Sequence, residues 1–321
     1  MPNEFSTFAG MKIALLDDVH DLFRSVFEEQ GWKVDLFSDS SRSALKETIS
    51  EYNGIVLRSR IKMDEDLLQH AKSLKFIGRP GAGLENIDVD YCKVRGIKVY
   101  RSPEGNRDAL AEHALGMLLM LFNNLKRADS EVRGGLWQRE ENRGHELMGK
   151  TVGIIGYGYM GKAFAQRLSG FGVKLLAYDK YKSDFGNNSV SEVSLEELKM
   201  KSDVISLHVP LTEETRGMIN ADFLSGLSRS VYLLNTARGP VVNTADLIDA
   251  LQSGKVKGAC LDVLEQESTS FEKVDHLPDS MQELLASDKV ILSPHIAGWT
   301  HEAKQKMAEF LVEKILTDFG S

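Results

Sequence analysis

Residues 151–161 read Thr151-Val152-Gly153-Ile154-Ile155-Gly156-Tyr157-Gly158-Tyr159-Met160-Gly161, and Lys162-Ala163-Phe164-Ala165-Gln166-Arg167-Leu168 follows with helical apolar spacing. A short apolar strand therefore breaks into G-x-G-x-x-G and passes into a helix. That arrangement holds a pyrophosphate: Gly156 permits the tight turn, Gly158 lets the backbone approach the phosphates, and Gly161 lets helix and strand pack closely. Tyr159 and Met160 fall at the helix start, where unpaired N–H groups and the positive dipole end favour an anion. Asp179 lies 18 residues beyond Gly161, at the end of the apolar run Val173 to Tyr178. A carboxylate there accepts hydrogen bonds from ribose hydroxyls and repels a 2′-phosphate, so NAD is expected rather than NADP. Lys180 and Lys182 follow closely and soften that repulsion.

Working outward, strand-like runs alternate with amphipathic segments along almost all of the 321 residues. This argues for α/β architecture with parallel sheets. Strands are expected at Lys12–Leu16, Lys33–Phe37, Gly54–Arg58, Lys75–Gly78 and Ile97–Tyr100. A second set follows at Val152–Ile155, Val173–Tyr178, Val204–Leu207, Val231–Leu234, Gly258–Leu261 and Val290–Leu292. So many strands exceed one comfortable sheet. The expectation is two doubly wound parallel-sheet domains, a flavodoxin-like one at 1–104 and 296–321 and a Rossmann domain at 105–295. A long helix is expected over Asp108–Lys126, then a polar Gly- and Arg-rich connector, then a final amphipathic helix over Thr300–Phe319.

With 39 Lys+Arg against 47 Asp+Glu, the net charge of −8 argues against general affinity for nucleic acid or anionic membranes. The longest apolar run, Ala114 to Phe122, is too short to span a bilayer, and residues 1–10 lack a signal-peptide layout. The two cysteines, Cys92 and Cys260, each lie in apolar stretches and read as buried free thiols of a reducing compartment. A cytoplasmic protein is the expectation.

Chemistry-bearing residues cluster at strand ends of the second set. Arg238 follows Val231 to Ala237, Glu267 follows Gly258 to Val263, and His295 follows Val290 to Pro294. In an open α/β sheet the carboxyl ends of the strands form the ligand crevice. Taken singly, Arg238 reads as a capping or surface arginine, Glu267 as a solvated loop acid and His295 as a packed loop histidine; together, beside a dinucleotide fold, they read as a site.

These residues carry a specific resemblance. Asn235-Thr236-Ala237-Arg238-Gly239, Leu261-Asp262-Val263 and Pro294-His295-Ile296-Ala297-Gly298 resemble the D-isomer specific 2-hydroxyacid dehydrogenases. So do Gly81-Ala82-Gly83-Leu84-Glu85-Asn86-Ile87-Asp88, Asn106, Ala111-Glu112-His113 and His208-Val209-Pro210, giving a match over essentially the whole chain. The resemblance implies that Arg238 binds the substrate carboxylate and carbonyl, that His295 is the acid–base group, and that Glu267 hydrogen-bonds the histidine. It adds His208, Pro210, Thr236, Ala237, Asp262 and Gly298 to the cofactor site, although Asp262 also reads as a strand-end cap and His208 as a packed histidine. Histidine suits the proton step because the residue type titrates near neutrality, and arginine offers a planar fork matched to a carboxylate. Two departures stand out: Ser268 replaces the usual proline after the glutamate, leaving Glu265 as a minor rival, and Glu85 replaces the usual aspartate. Glutamate at 267 argues against formate as substrate, since that branch generally has Gln there.

Substrate choice is expected from the first domain. Gly81, Ala82 and Gly83 can present backbone N–H groups to an anion, and Arg58, Ser59, Arg60 and Arg79 surround them in the strand pattern. Asn106 and, in the connector, Arg139 complete the set. So many cations suit a phosphorylated acid, and the layout is similar to the 3-phosphoglycerate dehydrogenase branch. Glyoxylate, hydroxypyruvate or D-lactate reduction is the alternative within the family, and a non-catalytic NAD-sensing corepressor is the alternative outside it. The chain ends 26 residues after His295, so no serine-binding regulatory domain is expected. The resemblance also implies a homodimer built on the long helix and connector. No metal is expected.

Overall fold

The computed structural model describes residues 10–37, 41–267 and 280–320. They divide into two compact units, one of residues 10–106 with 299–320, the other of residues 107–267 with 280–298.

In the first unit the elements run β1 (Lys12–Leu16), α1 (Leu22–Glu29), β2 (Lys33–Phe37), α2 (Arg42–Thr48), β3 (Gly54–Val56), α3 (Glu65–Leu68), β4 (Phe76–Arg79), α4 (Val89–Val94) and β5 (Lys98–Arg101). Its sheet has the order β2-β1-β3-β4-β5 with every pairing parallel, which is the flavodoxin-like order. One face packs on Phe23 and Phe27 of α1, with Trp32 and Phe76 and the terminal helix residues Leu311, Ile315 and Phe319. The other face holds Leu45, Ile49, Ile55, Leu57, Leu67 and Cys92. Each such side chain contributes about 1.5–3 kcal/mol when fully buried.

The second unit continues from α5 (Pro103–Phe122) through α6 (Leu125–Arg133), β6 (Thr151–Ile155), α7 (Tyr159–Leu168), β7 (Lys174–Tyr178), β8 (Val190–Glu192), α8 (Leu195–Lys201), β9 (Val204–Leu207) and α9 (Ala221–Ser225). It then runs through β10 (Val231–Asn235), α10 (Thr244–Gln252), β11 (Val256–Leu261), α11 (Ser280–Ala286) and β12 (Val290–Leu292). The terminal helix α12 (His301–Phe319) belongs to the first unit. The sheet order β12-β11-β10-β9-β6-β7-β8 is again fully parallel. It reverses between β6 and β9, the switch point of a Rossmann sheet.

The helix expected at Asp108–Lys126 is instead two. Pro103 lies at the first position of α5, where its missing N–H costs nothing. Asn124, in the left-handed region at φ 53°, breaks the run before α6. The short strand β8 was not expected. Both cysteines are free and buried, and burial pushes the Cys92 thiol up to about 11. No described helix is long and apolar enough to cross a membrane.

Candidate active site

The glycine loop has the geometry a nucleotide requires. Gly156 adopts φ 93°, and a Cβ there would lie 2.5 Å from the His208 carbonyl oxygen. At Gly161 a Cβ would meet the Gly156 carbonyl oxygen at 2.1 Å, so strand and helix pack too closely for any side chain. Gly158 differs. A Cβ there would meet only Lys182 Nζ, at 3.9 Å. That open space before the N-terminus of α7 is where a phosphate fits. Tyr159 and Met160 form the first turn of that helix.

Asp179 follows β7, and its carboxylate accepts from the Tyr157 amide at 2.8 Å and the Tyr181 amide at 3.0 Å. These bonds fix it beside the glycine loop. Lys180 pairs with Glu214, and Lys182 Nζ donates to the Tyr157 carbonyl at 3.2 Å. Both lysines thus have partners of their own near Asp179. Two buried polar atoms at neighbouring strand ends lack any hydrogen-bond partner among the described residues: Thr236 Oγ1 after β10 and His208 Nδ1 after β9. The other ring nitrogen of His208 meets Ser206 Oγ at 2.9 Å, and burial pushes this imidazole down to about 3, so it stays neutral. Unsatisfied buried groups of this kind, beside an open glycine cradle, fit a bound dinucleotide. Pro210 follows on the same loop and is exposed.

The ionisable residues come next. His295 Nδ1 lies 2.8 Å from Glu267 Oε2, and Glu267 Oε1 accepts from the Leu264 amide at 2.6 Å. Glu265 is turned elsewhere: its carboxylate accepts from the Thr244 amide at the start of α10, at 3.0 Å. The Glu267 pairing is thus the one the structure holds. Ser268 lies outside the described residues.

His295 itself adopts φ 57°, a left-handed conformation uncommon for a residue with a Cβ. Asp262 shows why it persists. This carboxylate, 1% exposed, accepts from the Ile296 and Ala297 amides at 2.8 Å each and from Ser293 Oγ at 2.6 Å. The His295 amide donates to the Asp262 carbonyl at 2.7 Å. His113 of α5, outside the expected site set, reaches Ser293 Oγ at 2.9 Å. Asp262 therefore acts here as a strand-end clamp on the histidine loop. Gly298 ends that loop.

Arg238 is half-buried after β10, its Nη1 donating to the Ala237 carbonyl at 2.6 Å while Asn235 Nδ2 holds the Arg238 carbonyl at 2.9 Å. Gly239 beside it approaches the β11 loop so closely that a Cβ would lie 1.8 Å from the Leu264 carbonyl oxygen. The loops bearing Arg238 and Glu267 are thereby pressed together.

In the first unit, Arg58, Ser59 and Arg60 follow β3, and Arg79 ends β4, the adjacent strand. Arg79 is 8% exposed, and its Nε donates to Asn86 Oδ1 at 3.2 Å. The Arg58 guanidinium lies 3.8 Å over the Trp299 ring. Gly81 adopts φ 133° and its amide donates to Ser102 Oγ at 3.3 Å, ahead of Ala82 and Gly83. Asn106 Oδ1, at the start of α5, is another of the buried atoms with no partner among the described residues. Asp17, at φ 64°, was missed by sequence reasoning, though its place at the end of β1 matches the other strand-end residues. In the second unit Arg139 is exposed, two residues beyond Trp137, in the stretch after α6.

Residues 115–297 match the family model described as the D-isomer specific 2-hydroxyacid dehydrogenase, NAD binding domain. The chain is 39% identical to a hydroxypyruvate reductase of Thermotoga maritima, over 87% of this chain and 89% of that one. It is 36% identical to a D-3-phosphoglycerate dehydrogenase of Archaeoglobus fulgidus, over 95% of this chain but only 57% of that protein's length. Among solved structures, the D-lactate dehydrogenase of Aquifex aeolicus, complexed with NAD and lactic acid, superposes with a TM-score of 0.80 at 34% identity, covering 94% of each chain. The NAD-fitted glycine loop, the histidine–glutamate pair and these likenesses agree: the chain belongs to the D-isomer specific 2-hydroxyacid dehydrogenases, a family of NAD-dependent enzymes.

Proposed function

We propose that the chain interconverts a phosphorylated D-2-hydroxy acid and its 2-keto acid, with 3-phosphoglycerate and 3-phosphohydroxypyruvate as the pair. The observation that carries this reading is the set of Arg58, Arg60 and Arg79 at the ends of the adjacent strands β3 and β4. One carboxylate needs one guanidinium fork; a carboxylate and a phosphate together call for several. Gly81, Ala82, Gly83 and Asn106 supply further polar groups to the same end of that sheet, and Arg139 is assigned a contact with the substrate's acid groups.

The geometry of the second unit supports the following roles. Nicotinamide, when bound, supplies or accepts the hydride. Gly156, Gly158, Tyr159, Met160 and Gly161 hold the pyrophosphate, Asp179 takes the ribose hydroxyls, and His208, Pro210, Thr236, Ala237 and Gly298 line the remainder. Asp262 contributes by fixing the loop that carries the histidine. Arg238 binds the carboxylate and polarises the carbonyl. In the reducing direction His295 gives its proton to the carbonyl oxygen; in the oxidising direction it removes the hydroxyl proton. With Nδ1 held by Glu267, this exchange is assigned to Nε2. The glutamate fixes the orientation of the ring.

A second reading has one observation in its favour. Asp17 lies 2.7 Å from Arg60 and offsets one of the positive charges. That favours a small acid such as hydroxypyruvate, glyoxylate or pyruvate. Following NADH oxidation with 3-phosphohydroxypyruvate beside these three decides between them. A kcat/KM at least tenfold higher for the phosphorylated acid supports the first reading, and parity or reversal removes it.

A homodimer is part of the same proposal. Leu125, Val132 and Leu136 are exposed on and beyond α6, and Trp137 is 79% exposed. Apolar side chains gathered on one stretch favour burial against a second copy.

A further inference from the structure

We propose that Asp17 is a positioning residue that sets the affinity of the enzyme for its acid substrate by holding the Arg58-Ser59-Arg60 loop in register. This rests on the reading that the loop takes the substrate's acid groups.

Asp17 stands directly after β1, and its side chain is 7% exposed. One carboxylate oxygen, Oδ2, accepts from the Arg58 amide at 2.8 Å. The other, Oδ1, accepts from Arg60 Nε at 2.7 Å. A single buried carboxylate therefore grips the loop twice, once by its backbone and once by a guanidinium. Arg60 Nη2 reaches on to the Phe37 carbonyl at the end of β2, at 3.3 Å. The far side of the loop is fixed independently: Asn86 Nδ2 donates to the Arg58 carbonyl at 2.8 Å and to the Ile61 carbonyl at 3.0 Å. Arg58 then lays its guanidinium on Trp299. Two arginines carry like charge within one short loop, and the carboxylate paired with Arg60 offsets one of those charges.

The backbone gives a second, independent sign. Asp17 adopts φ 64° although it is not glycine. Such a conformation carries a cost, and it persists where the surroundings require it. Here it aims the carboxylate back across the strand ends. Asparagine tolerates the same left-handed conformation, so Asp17→Asn preserves the backbone while replacing one acceptor by a donor and removing the charge. Glycine would relieve the backbone and delete the grip altogether.

The test compares wild type, Asp17→Asn and Asp17→Gly in NADH-linked assays with 3-phosphohydroxypyruvate and with hydroxypyruvate, alongside thermal melting of each. Charge-assisted bonds of this kind correspond to roughly a 10- to 100-fold effect. The expectation is that KM for the acid rises by about that factor in both variants, with kcat within about threefold and melting within a few degrees of wild type. An unchanged KM for both acids overturns the proposal. So does a fall in kcat and melting temperature with KM intact, which would mark Asp17 as merely structural. The wild-type preference between the two acids is read separately. If wild type shows none, the phosphorylated-substrate reading falls while the KM shift on hydroxypyruvate still decides the role of Asp17.

Discussion

Nδ1 of His295 sits 2.8 Å from Oε2 of Glu267, and the same glutamate is tethered through its other oxygen to the Leu264 amide. The acid therefore does not swing freely; it presents one fixed oxygen to the ring. His295→Asn is expected to lower kcat by about 10²- to 10⁴-fold, the usual weight of general acid–base catalysis, with NADH affinity within about twofold. Glu267→Gln can keep the oxygen that holds the Leu264 amide but removes the charge, so a loss of about 10- to 100-fold is expected. Glu265→Gln alters only the start of α10 and serves as the control. Stopped-flow turnover with fluorescence titration of NADH measures all three; wild-type kcat in His295→Asn would overturn the acid–base assignment.

Two glycines of the nucleotide loop are expected to fail differently. In Gly161→Ala the new methyl meets the Gly156 carbonyl, so strand and helix must separate and thermal stability falls along with cofactor binding. Gly158→Ala meets open space. Its melting temperature is expected to stay within a few degrees of wild type while the Kd for NADH rises at least tenfold. Calorimetry of both variants separates the outcomes, and NADH binding unimpaired in Gly158→Ala would displace the pyrophosphate from that position.

The neutral, buried His208 gives the fold an acid limit. Its imidazole is held down to about 3 in the folded chain, against about 6.5 for an unperturbed histidine. Between those values the unfolded chain binds a proton that the folded chain refuses. Stability from this group is therefore complete above about pH 6.5 and is lost as pH falls toward 3. His208→Gln is expected to flatten the melting temperature against pH across that window. An unaltered slope would show that other groups set the acid limit.

Placing a charge on the exposed apolar stretch tests assembly. Trp137→Glu is expected to shift the protein from dimer to monomer in light scattering, with little loss of secondary structure. A wild-type protein that is already monomeric would remove the dimer proposal.

The pattern of sequence legibility follows from how local each signal is. The strands β1, β9 and β12 have the bounds their apolar runs give, because a strand buried on both faces leaves a continuous apolar trace. The strand β8, only Val190–Glu192, has Ser191 and Glu192 exposed at the sheet edge and leaves no such trace. The split between α5 and α6 turns on the conformation of one asparagine. In the site, Arg238, Glu267 and His295 were legible because each follows a strand in the same sheet. Asp17 follows a strand as well, but its partners lie 41 and 43 residues away, and nothing in the intervening sequence records that pairing. Asp262 was legible as a residue, yet its grip on the amides at 296 and 297 appears only in three dimensions.

The left-handed backbone at His295 sets stability and activity against each other. On the proposed acid–base role, glycine at that position would release the conformational cost while removing both the ring held by Glu267 and the group that moves the proton. On that proposed role, a selection for heat resistance alone is blind to what position 295 does for turnover, so any effort to toughen this protein must select on catalysis at the same time.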